Sequence, residues 1–509
     1  MGNSNGKPEE FEARRSFAPS PKSVVCSNTL SSTFSASHDS KIQEDMTRSV
    51  FDRKNHFHFE VVVDPLCPTP LNQLRRHWKL YFEGTDRYCN MKNGETTMDV
   101  SMAPSKLQES CSRVSVDFES SSPSQDYDST GSVDFEAADA KQNHQNTVHH
   151  VYPYVLSDEE PSTVELDASG SGDDEMTAGC DTLPLPHNSL DGLWESLIME
   201  DGIKQNLLEY AQTSLLFAEK GVSPHVIGWN RLLLLHGPPG TGKTSLCKAL
   251  AQKIAIRMGE RFASGTTLLE IHSHSLFSKW FSTSGKLVNK LFEIVRDMVQ
   301  DDPESLVCVL IDEVESLASA RTGMNGAEPQ DAMRAVNSLL TSLDRLRSFS
   351  NVIILATTNL TTSVDLAFVD RADVKQYVGY PVLEARYGIL RSCMIELERV
   401  GIIENTEDKI SLVTYRQLLS SRKESSDAAA AAVSSANSIS SYDVTVSDML
   451  LSCAELAEGL SGRSLRKLPL QSHAQFIRQL QPVSMKAFLI ALQSGIRAEI
   501  RSRQKLGPT

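Results

Sequence analysis

The chain of 509 residues lacks several features that are typical of secreted and membrane proteins. Its nine cysteines are scattered and include no CxxC pair, so reduced, buried thiols are a better interpretation than a disulfide framework. No apolar run approaches the roughly 18 residues that a membrane span needs. The N-terminus, MGNSNG, has no apolar signal-peptide segment, and Gly6 stands where a myristoylation signal has Ser or Thr. We therefore expect a soluble, intracellular protein with no membrane partner.

The sequence also lacks a basic tract. Its net charge is −15, and residues 85–182 carry all of that excess, with 20 Asp and Glu against five Lys and Arg. Proteins that bind nucleic acid nonspecifically present a basic face, so this balance argues against direct contact with nucleic acid. It does not exclude work on chromatin through protein partners.

Changes in composition divide the first third of the chain. Residues 1–54 are rich in Ser and poor in apolar residues, and we expect them to be disordered. Residues 55–84 and about 147–166 are predicted to form a small N-terminal α+β domain. Residues 85–146 and 167–182 are interpreted as an acidic, Ser-rich linker or insert.

Local patterns predict the elements of that small domain. Residues 56–64 read as a strand, and residues 71–82 as a helix with apolar positions three and four apart. A second strand at 149–156 could pair with the first.

The pattern changes at residue 183, where apolar runs of strand length begin to alternate with helical segments. This alternation predicts an α/β fold with a parallel sheet of five strands, covered by helices on both faces. Residues 183–381 are expected to form this large subdomain, and residues 382–509 a helical subdomain with a flexible Ser/Ala-rich insert at 420–441. The predicted strands are Arg231–His236, Leu268–His272, Val307–Ile311, Val352–Thr357 and Lys375–Val378.

One contiguous motif predicts nucleotide binding. A complete GxxxxGK[ST] follows an apolar strand and opens a helix, a context in which backbone N–H groups at a helix N-terminus bind phosphates. The lysine would contact the β- and γ-phosphates of ATP, and the threonine hydroxyl would ligate Mg²⁺. The predicted nucleotide-binding residues are Gly237, Pro238, Pro239, Gly240, Thr241, Gly242, Lys243, Thr244 and Ser245.

Two further strands end in polar residues. Val307–Ile311 is followed by Asp312 and Glu313, of which the first would hold Mg²⁺ and the second would activate the attacking water. Asn359, after the strand Val352–Thr357, could hydrogen-bond that water or the γ-phosphate.

With these three strands the chain resembles the AAA+ ATPases from about residue 183 to its end. The resemblance implies ATP hydrolysis in a ring, with a hexamer expected. It also implies that residues 382–509 are a lid subdomain. Arg371 would reach the γ-phosphate of the neighbouring subunit, and Arg463, or second Arg466, would sense the γ-phosphate from the lid. A guanidinium suits these roles because its fork of donors matches phosphate oxygens.

Longer strings narrow the resemblance to the pachytene checkpoint protein 2 family, whose animal members are thyroid-receptor-interacting ATPases. These strings are GLWESL at 192–197, SHSLFSKWFS at 273–282, IDEVESL at 311–317 and the segment 459–469. The family resemblance implies remodelling of HORMA-domain proteins, and a role for the small N-terminal domain in recognising the substrate or a comet-like adaptor. It further implies control of meiotic chromosome axes and recombination, turnover of the spindle checkpoint, and a nuclear and cytoplasmic location.

The same resemblance assigns a mechanical role to Lys279, Trp280 and Phe281. They lie in a polar segment, and remodelling AAA+ rings place an aromatic residue there, facing the central pore. Two alternatives remain open: a clamp-loader or initiator type of ATPase associated with nucleic acid, and a scaffold that binds ATP without hydrolysing it.

Overall fold

The computed structural model describes most of the chain beyond residue 54. The described residues are 55–83, 97–98, 101, 103–119, 147–167, 176–200, 202–271, 284–315, 329–359, 365–404, 412–427 and 441–506. Within these ranges, no helix combines the length and the apolar character that crossing a bilayer requires.

A seven-stranded sheet forms the centre of the protein, in the order β11-β7-β10-β9-β8-β6-β5. Its first five strands are parallel, which confirms the predicted strands to within a few residues at each end. They are β7 (Leu232–His236), β8 (Gly265–Ile271), β9 (Ser305–Ile311), β10 (Val352–Thr358) and β11 (Val374–Tyr377).

Two antiparallel strands that the sequence did not predict extend this sheet. They are β5 (Ser162–Asp167) and β6 (Met176–Leu185), and β6 pairs with β8. The assignment of 167–182 to a linker is therefore wrong for β6, and β5 belongs to this sheet rather than to the N-terminal domain. The sequence did not predict these two strands because polar residues separate their single buried residues, such as Leu166 and Cys180.

Alternate residues of the parallel strands enter two separate cores. On one face, Leu233 and Leu235 pack with the helices Ile203–Glu219 and Lys243–Arg257. On the other face, Leu232 and Leu234 pack with the helices Ser284–Asp301 and Pro329–Leu346. Burial on both faces explains the near-continuous apolar composition of β7, β9 and β10. The helices of this subdomain are α3 (Leu193–Ser196), α4 (Ile203–Glu219), α5 (Lys243–Arg257), α6 (Ser284–Asp301), α7 (Pro329–Leu346) and α8 (Leu366–Val369).

Helices with a core of their own follow β11. The prediction of a flexible insert at 420–441 is wrong for its two ends, because one helix continues to Asp427 and the next begins at Ser441. The rest of the insert lies outside the described residues. The helices are α9 (Leu383–Arg399), α10 (Tyr415–Asp427), α11 (Ser441–Leu456), α12 (Gly462–Ser472) and α13 (Met485–Leu506).

The N-terminal domain is a four-stranded sheet in the order β2-β3-β1-β4, with a helix on one face. The predicted pairing of its two strands is confirmed, and it is parallel. The elements are β1 (Asn55–Val63), α1 (Leu71–Glu83), β2 (Thr97–Met98), α2 (Ser105–Gln108), β3 (Cys111–Glu119) and β4 (Thr147–Tyr154).

The assignment of 85–146 to a linker is wrong for β2, α2 and β3. Strand β3 has the sequence CSRVSVDFE and pairs along most of its length with β1. Its charged residues gave it the composition of the surrounding acidic segment, although Arg113 and Asp117 have partners in the folded protein. Arg113 forms a bidentate ion pair with Asp191, with N–O distances of 2.9 and 2.5 Å.

The second face of the N-terminal sheet packs on α5 through buried charges. The ammonium group of Lys253, whose side chain is 2% exposed, lies 2.7 Å from Glu60 and 3.0 Å from Asp117. Arg257 contacts the same two carboxylates at 3.3 and 2.7 Å, and Glu195 is 3.3 Å from Lys253.

The pKa values in this cluster favour the charged forms. Burial lowers the pKa of Lys253, but Asp117 and Glu60 raise it by more. Burial raises the pKa of Asp117, but Lys253 and Arg257 hold it well below its ordinary value. Because a carboxyl with a lowered pKa stabilises the fold only while it is ionised, this contribution is present above about pH 4 and is lost as the pH falls further.

Replacement of Lys253 by Met should lower the free energy of unfolding by about 3 kcal/mol or more, because it leaves the buried Glu60 with less compensation. Chemical denaturation measures this difference. Lys248→Met is the matched control, since Lys248 lies on the same helix but pairs with Glu270 at a more exposed site, and it should cost less than about 1 kcal/mol. Equal losses in the two variants would contradict the role given to the cluster.

Candidate functional site

The conformation of the loop between β7 and α5 depends on three glycines. Gly237 has φ = 141°, and a Cβ there would lie 2.3 Å from the carbonyl oxygen of Val378. Gly240 and Gly242 also have positive φ values, of 77° and 96°. Because L side chains rarely adopt such angles, the three glycines are required for this loop, and the loop leads directly into the N-terminus of α5.

Lys243 is buried at the centre of the loop. Its ammonium group donates hydrogen bonds to the carbonyl oxygens of Gly237 (2.9 Å) and Pro238 (2.8 Å) and to Oδ1 of Asn359 (2.7 Å). Burial lowers its pKa, and so does the nearby charge of Arg463. The loop therefore encloses an ammonium group whose charge would be balanced by phosphate oxygens.

The hydroxyl of Thr244 and the carboxylate of Asp312 meet at the carboxyl edge of the sheet. The hydroxyl donates to Oδ1 of Asp312 at 2.8 Å, and Thr357 donates to the same oxygen. Hydroxyl and carboxylate oxygens are the donors that Mg²⁺ prefers, and it is usually held by one or two such groups together with substrate phosphates. The residues present thus fit the predicted Mg²⁺ site.

Glu313 has a backbone conformation that is unusual for its residue type. Its φ is 55°, and its N–H donates to Oγ1 of Thr357 at 3.2 Å. A non-glycine residue in the left-handed region signals a constraint that the surrounding structure maintains, and such residues concentrate at functional sites. The exposed carboxylate of Glu313 lies 3.5 Å from the amide nitrogen of Asn359, so the two predicted catalytic groups are adjacent.

Two residues of this site, Thr357 and Glu315, were not predicted from the sequence. Thr357 orients both Asp312 and the backbone of Glu313, and its position in the polar strand end ATTN was the available indication. Glu315 is buried and accepts a hydrogen bond from the backbone N–H of Asn359 at 2.9 Å. Its negative charge is the largest influence that raises the pKa of Lys243 against the effect of burial.

The lid contacts the phosphate-binding loop through the start of α12. Ser461 caps that helix, and the backbone N–H of Arg463 donates to the carbonyl oxygen of Gly240 at 3.0 Å. Arg466 instead donates to the carbonyl oxygen of Ser196, the last residue of α3. Of the two predicted sensor arginines, the geometry therefore favours Arg463.

Arg371 lies at the amino-terminal ends of the parallel strands, opposite to the phosphate-binding loop. Val374 pairs with Leu233 in the parallel register of β11 and β7, so Arg371 lies before the start of β7, whereas the loop at Gly237 follows its end. The length of β7, roughly 16 Å, separates them and exceeds the reach of an arginine side chain. Arg371 thus cannot serve the site of its own chain. Lys279, Trp280 and Phe281 fall in 272–283, outside the described residues.

Comparisons with known proteins agree with this site. The model of the ATPase family associated with various cellular activities (AAA) matches residues 233–380. The model of the TRIP13-like AAA+ ATPase C-terminal lid domain matches residues 382–500.

Individual relatives match more of the chain than either family model does. A pachytene checkpoint protein 2 homolog of Oryza sativa subsp. indica is 49% identical over 355 residues, 69% of this chain and 71% of the relative. The Homo sapiens homolog is 44% identical over 355 residues, 69% of this chain and 76% of that protein. The chain belongs to the pachytene checkpoint protein 2 family.

The solved structure of C. elegans PCH-2 resembles this fold with a TM-score of 0.63 and 30% identity, covering 88% of this chain and 99% of that one.

Family membership also decides the class of reaction. The protein is an AAA+ ATPase that binds nucleotide, as the loop and the strand-end carboxylates predict, and it has the lid and the N-terminal domain expected of the family.

Replacement of Glu313 by Gln should leave ATP binding within a few-fold and lower ATP turnover by roughly 10²- to 10⁴-fold, because the amide cannot accept a proton from water. Nucleotide binding and phosphate release measure the two effects separately. Lys243→Ala is the contrasting variant and should lose binding itself. Near-normal turnover by Glu313→Gln would exclude Glu313 as the base.

Proposed function

We propose that this ATPase remodels HORMA-domain proteins, converting a closed form to an open or locally unfolded one. The observation that carries the proposal is the grouping of Lys243, Thr244, Asp312, Glu313 and Asn359 in a chain of the pachytene checkpoint protein 2 family. These are the groups that hydrolysis requires from one subunit, and a scaffold that only binds ATP would not need Glu313 held in a strained conformation.

The site supports a division of roles in hydrolysis. Lys243 and the N–H groups of its loop hold the β- and γ-phosphates, while Thr244 and Asp312 hold Mg²⁺, which when bound neutralises charge on the phosphates. Glu313 accepts a proton from the attacking water, and Asn359 orients that water. Little further chemistry is needed, because phosphoryl transfer depends mainly on positioning and electrostatic stabilisation.

A neighbouring subunit completes the site. Arg371 lies a strand's length from the loop of its own chain, so it contributes to hydrolysis by contacting the γ-phosphate held by an adjacent copy. Closure of this arrangement around a ring gives the expected hexamer. Arg463 approaches the same phosphate from the lid, and hydrolysis removes its contact, so the lid rotates on the large subdomain.

Rotation of the subdomains would move the pore residues Lys279, Trp280 and Phe281 along the ring axis. The aromatic side chains would grip an extended segment of the client by stacking and dispersion, with little dependence on sequence. The N-terminal domain would present the client, directly or through a comet-like adaptor. In cells this activity would act on meiotic chromosome axes and recombination, and on checkpoint proteins in nucleus and cytoplasm.

The test is ATP turnover by the purified protein, with and without a HORMA-domain protein closed around a fluorescent peptide, together with release of that peptide. Release should require ATP and should be lost in Trp280→Ala, while the variant still hydrolyses ATP. Peptide release by Trp280→Ala at the normal rate would overturn the pore grip.

The same assay distinguishes the alternatives. Turnover stimulated by DNA, with no release of peptide, would favour a nucleic-acid ATPase, and the absence of turnover would favour a scaffold. Adding a comet-like adaptor to the reaction tests whether the client needs one.

A further inference from the structure

The guanidinium of Arg371 is held by contacts within its own chain. Its Nε donates to Oδ1 of Asp344 at 2.9 Å and its Nη2 to Oδ2 at 2.8 Å, which makes a bidentate ion pair with α7. Its Nη1 donates to the carbonyl oxygen of Ala367 in α8 at 2.8 Å. The side chain is therefore fixed between two helices.

The backbone around Arg371 is fixed as well. The carbonyl oxygen of Arg371 accepts a hydrogen bond from the side-chain amide of Asn230 at 2.8 Å. The carboxylate of Asp373 accepts bonds from the N–H groups of Asn230 and Leu232, at the start of β7. The position of Arg371 is thus tied to the same strand that leads into the phosphate-binding loop.

The geometry leaves donors for another acceptor. A guanidinium has five N–H groups, and the three contacts with Asp344 and Ala367 use three of them, leaving one each on Nη1 and Nη2. The Arg371 side chain is 30% exposed and that of Asp344 is 51% exposed, so the pair is accessible to a neighbouring molecule. Nη1 and Nη2 are the ends of a fork that matches two oxygens of a phosphate.

An exposed ion pair of this kind contributes little to folding, so its effect on stability does not explain this arrangement. The ion pair instead limits the rotamers of the Arg371 side chain before phosphate binds. A catalytic cation that is already oriented needs no reorganisation when the transition-state charge develops.

We propose that Asp344 is a positioning residue for ATP hydrolysis. It holds the guanidinium of Arg371 so that the remaining N–H groups on Nη1 and Nη2 face the γ-phosphate bound by the adjacent subunit. This inference rests on the proposed action of Arg371 on a neighbour.

The first test is steady-state kinetics of Asp344→Asn. The amide keeps the size of the side chain but loses its charge and one of its two acceptor oxygens, so Arg371 should become mobile. We expect kcat to fall about 10-fold to 100-fold, less than in Arg371→Ala, with KM for ATP within about twofold. Asp448→Asn is the matched control, because Asp448 accepts two hydrogen bonds from Arg422 in an exposed pair of the lid, and its kcat should be unchanged.

Mixing of subunits separates this role from a structural one. Lys243→Ala subunits lack a working phosphate site but carry intact Arg371 and Asp344. Rings mixed from Asp344→Asn and Lys243→Ala subunits contain sites where an Asp344→Asn subunit binds ATP and a Lys243→Ala neighbour supplies Arg371. If Asp344 acts across the subunit boundary, turnover should recover at these sites.

The same mixture with Arg371→Ala distinguishes the two proposals. If Arg371→Ala gains no turnover on mixing, the action of Arg371 on a neighbour is wrong. If Arg371→Ala gains turnover and Asp344→Asn does not, the positioning role of Asp344 is wrong. An increase in kcat of Asp344→Asn alone would also overturn it, since Asp344 would then restrain Arg371 rather than orient it.

Discussion

The burial of α5 is the constraint on which the rest of the structure depends. Its first residue, Lys243, lies inside the phosphate-binding loop, and its last turns carry Lys253 and Arg257 in the charge cluster with the N-terminal domain. Most of its side chains are buried, so the helix cannot shift without disturbing both ends. A rigid helix of about 22 Å therefore connects the ATP site to the domain proposed to present the client.

The sheet also separates the residues that are proposed to act on ATP. Parallel strands place their carboxyl ends at one edge, which brings Asp312, Glu313 and Asn359 next to the loop. Arg371 precedes β11 and therefore lies at the other edge, held by Asp344 on α7. In a ring, the end of the sheet that carries Arg371 in one subunit can face the end that carries the phosphate-binding loop in the next. Hydrolysis then depends on the contact between subunits. Such a dependence allows events in one subunit to affect its neighbour.

The sequence predicted those parts of the fold and the site that are encoded locally. The phosphate-binding motif is contiguous, and the five parallel strands are apolar because both of their faces are buried. Strands β3 and β6 were not predicted because their polar residues give them the composition of the acidic segment in which they lie. The partners of Lys253 and Arg371 could not be inferred, since Glu60 is 193 residues from Lys253 and Asp344 is 27 from Arg371 along the chain. The one local indication of Thr357 is its place in the polar end of β10.

The structure of the Glu313→Gln variant with ATP and Mg²⁺, determined by cryo-electron microscopy, tests most directly whether ATP is hydrolysed between two copies of this chain. We predict a closed ring in which the guanidinium of Arg371, still paired with Asp344, lies within hydrogen-bond distance of the γ-phosphate of the adjacent subunit. A monomer with ordered ATP, or a ring in which Arg371 lies far from every γ-phosphate, would contradict it.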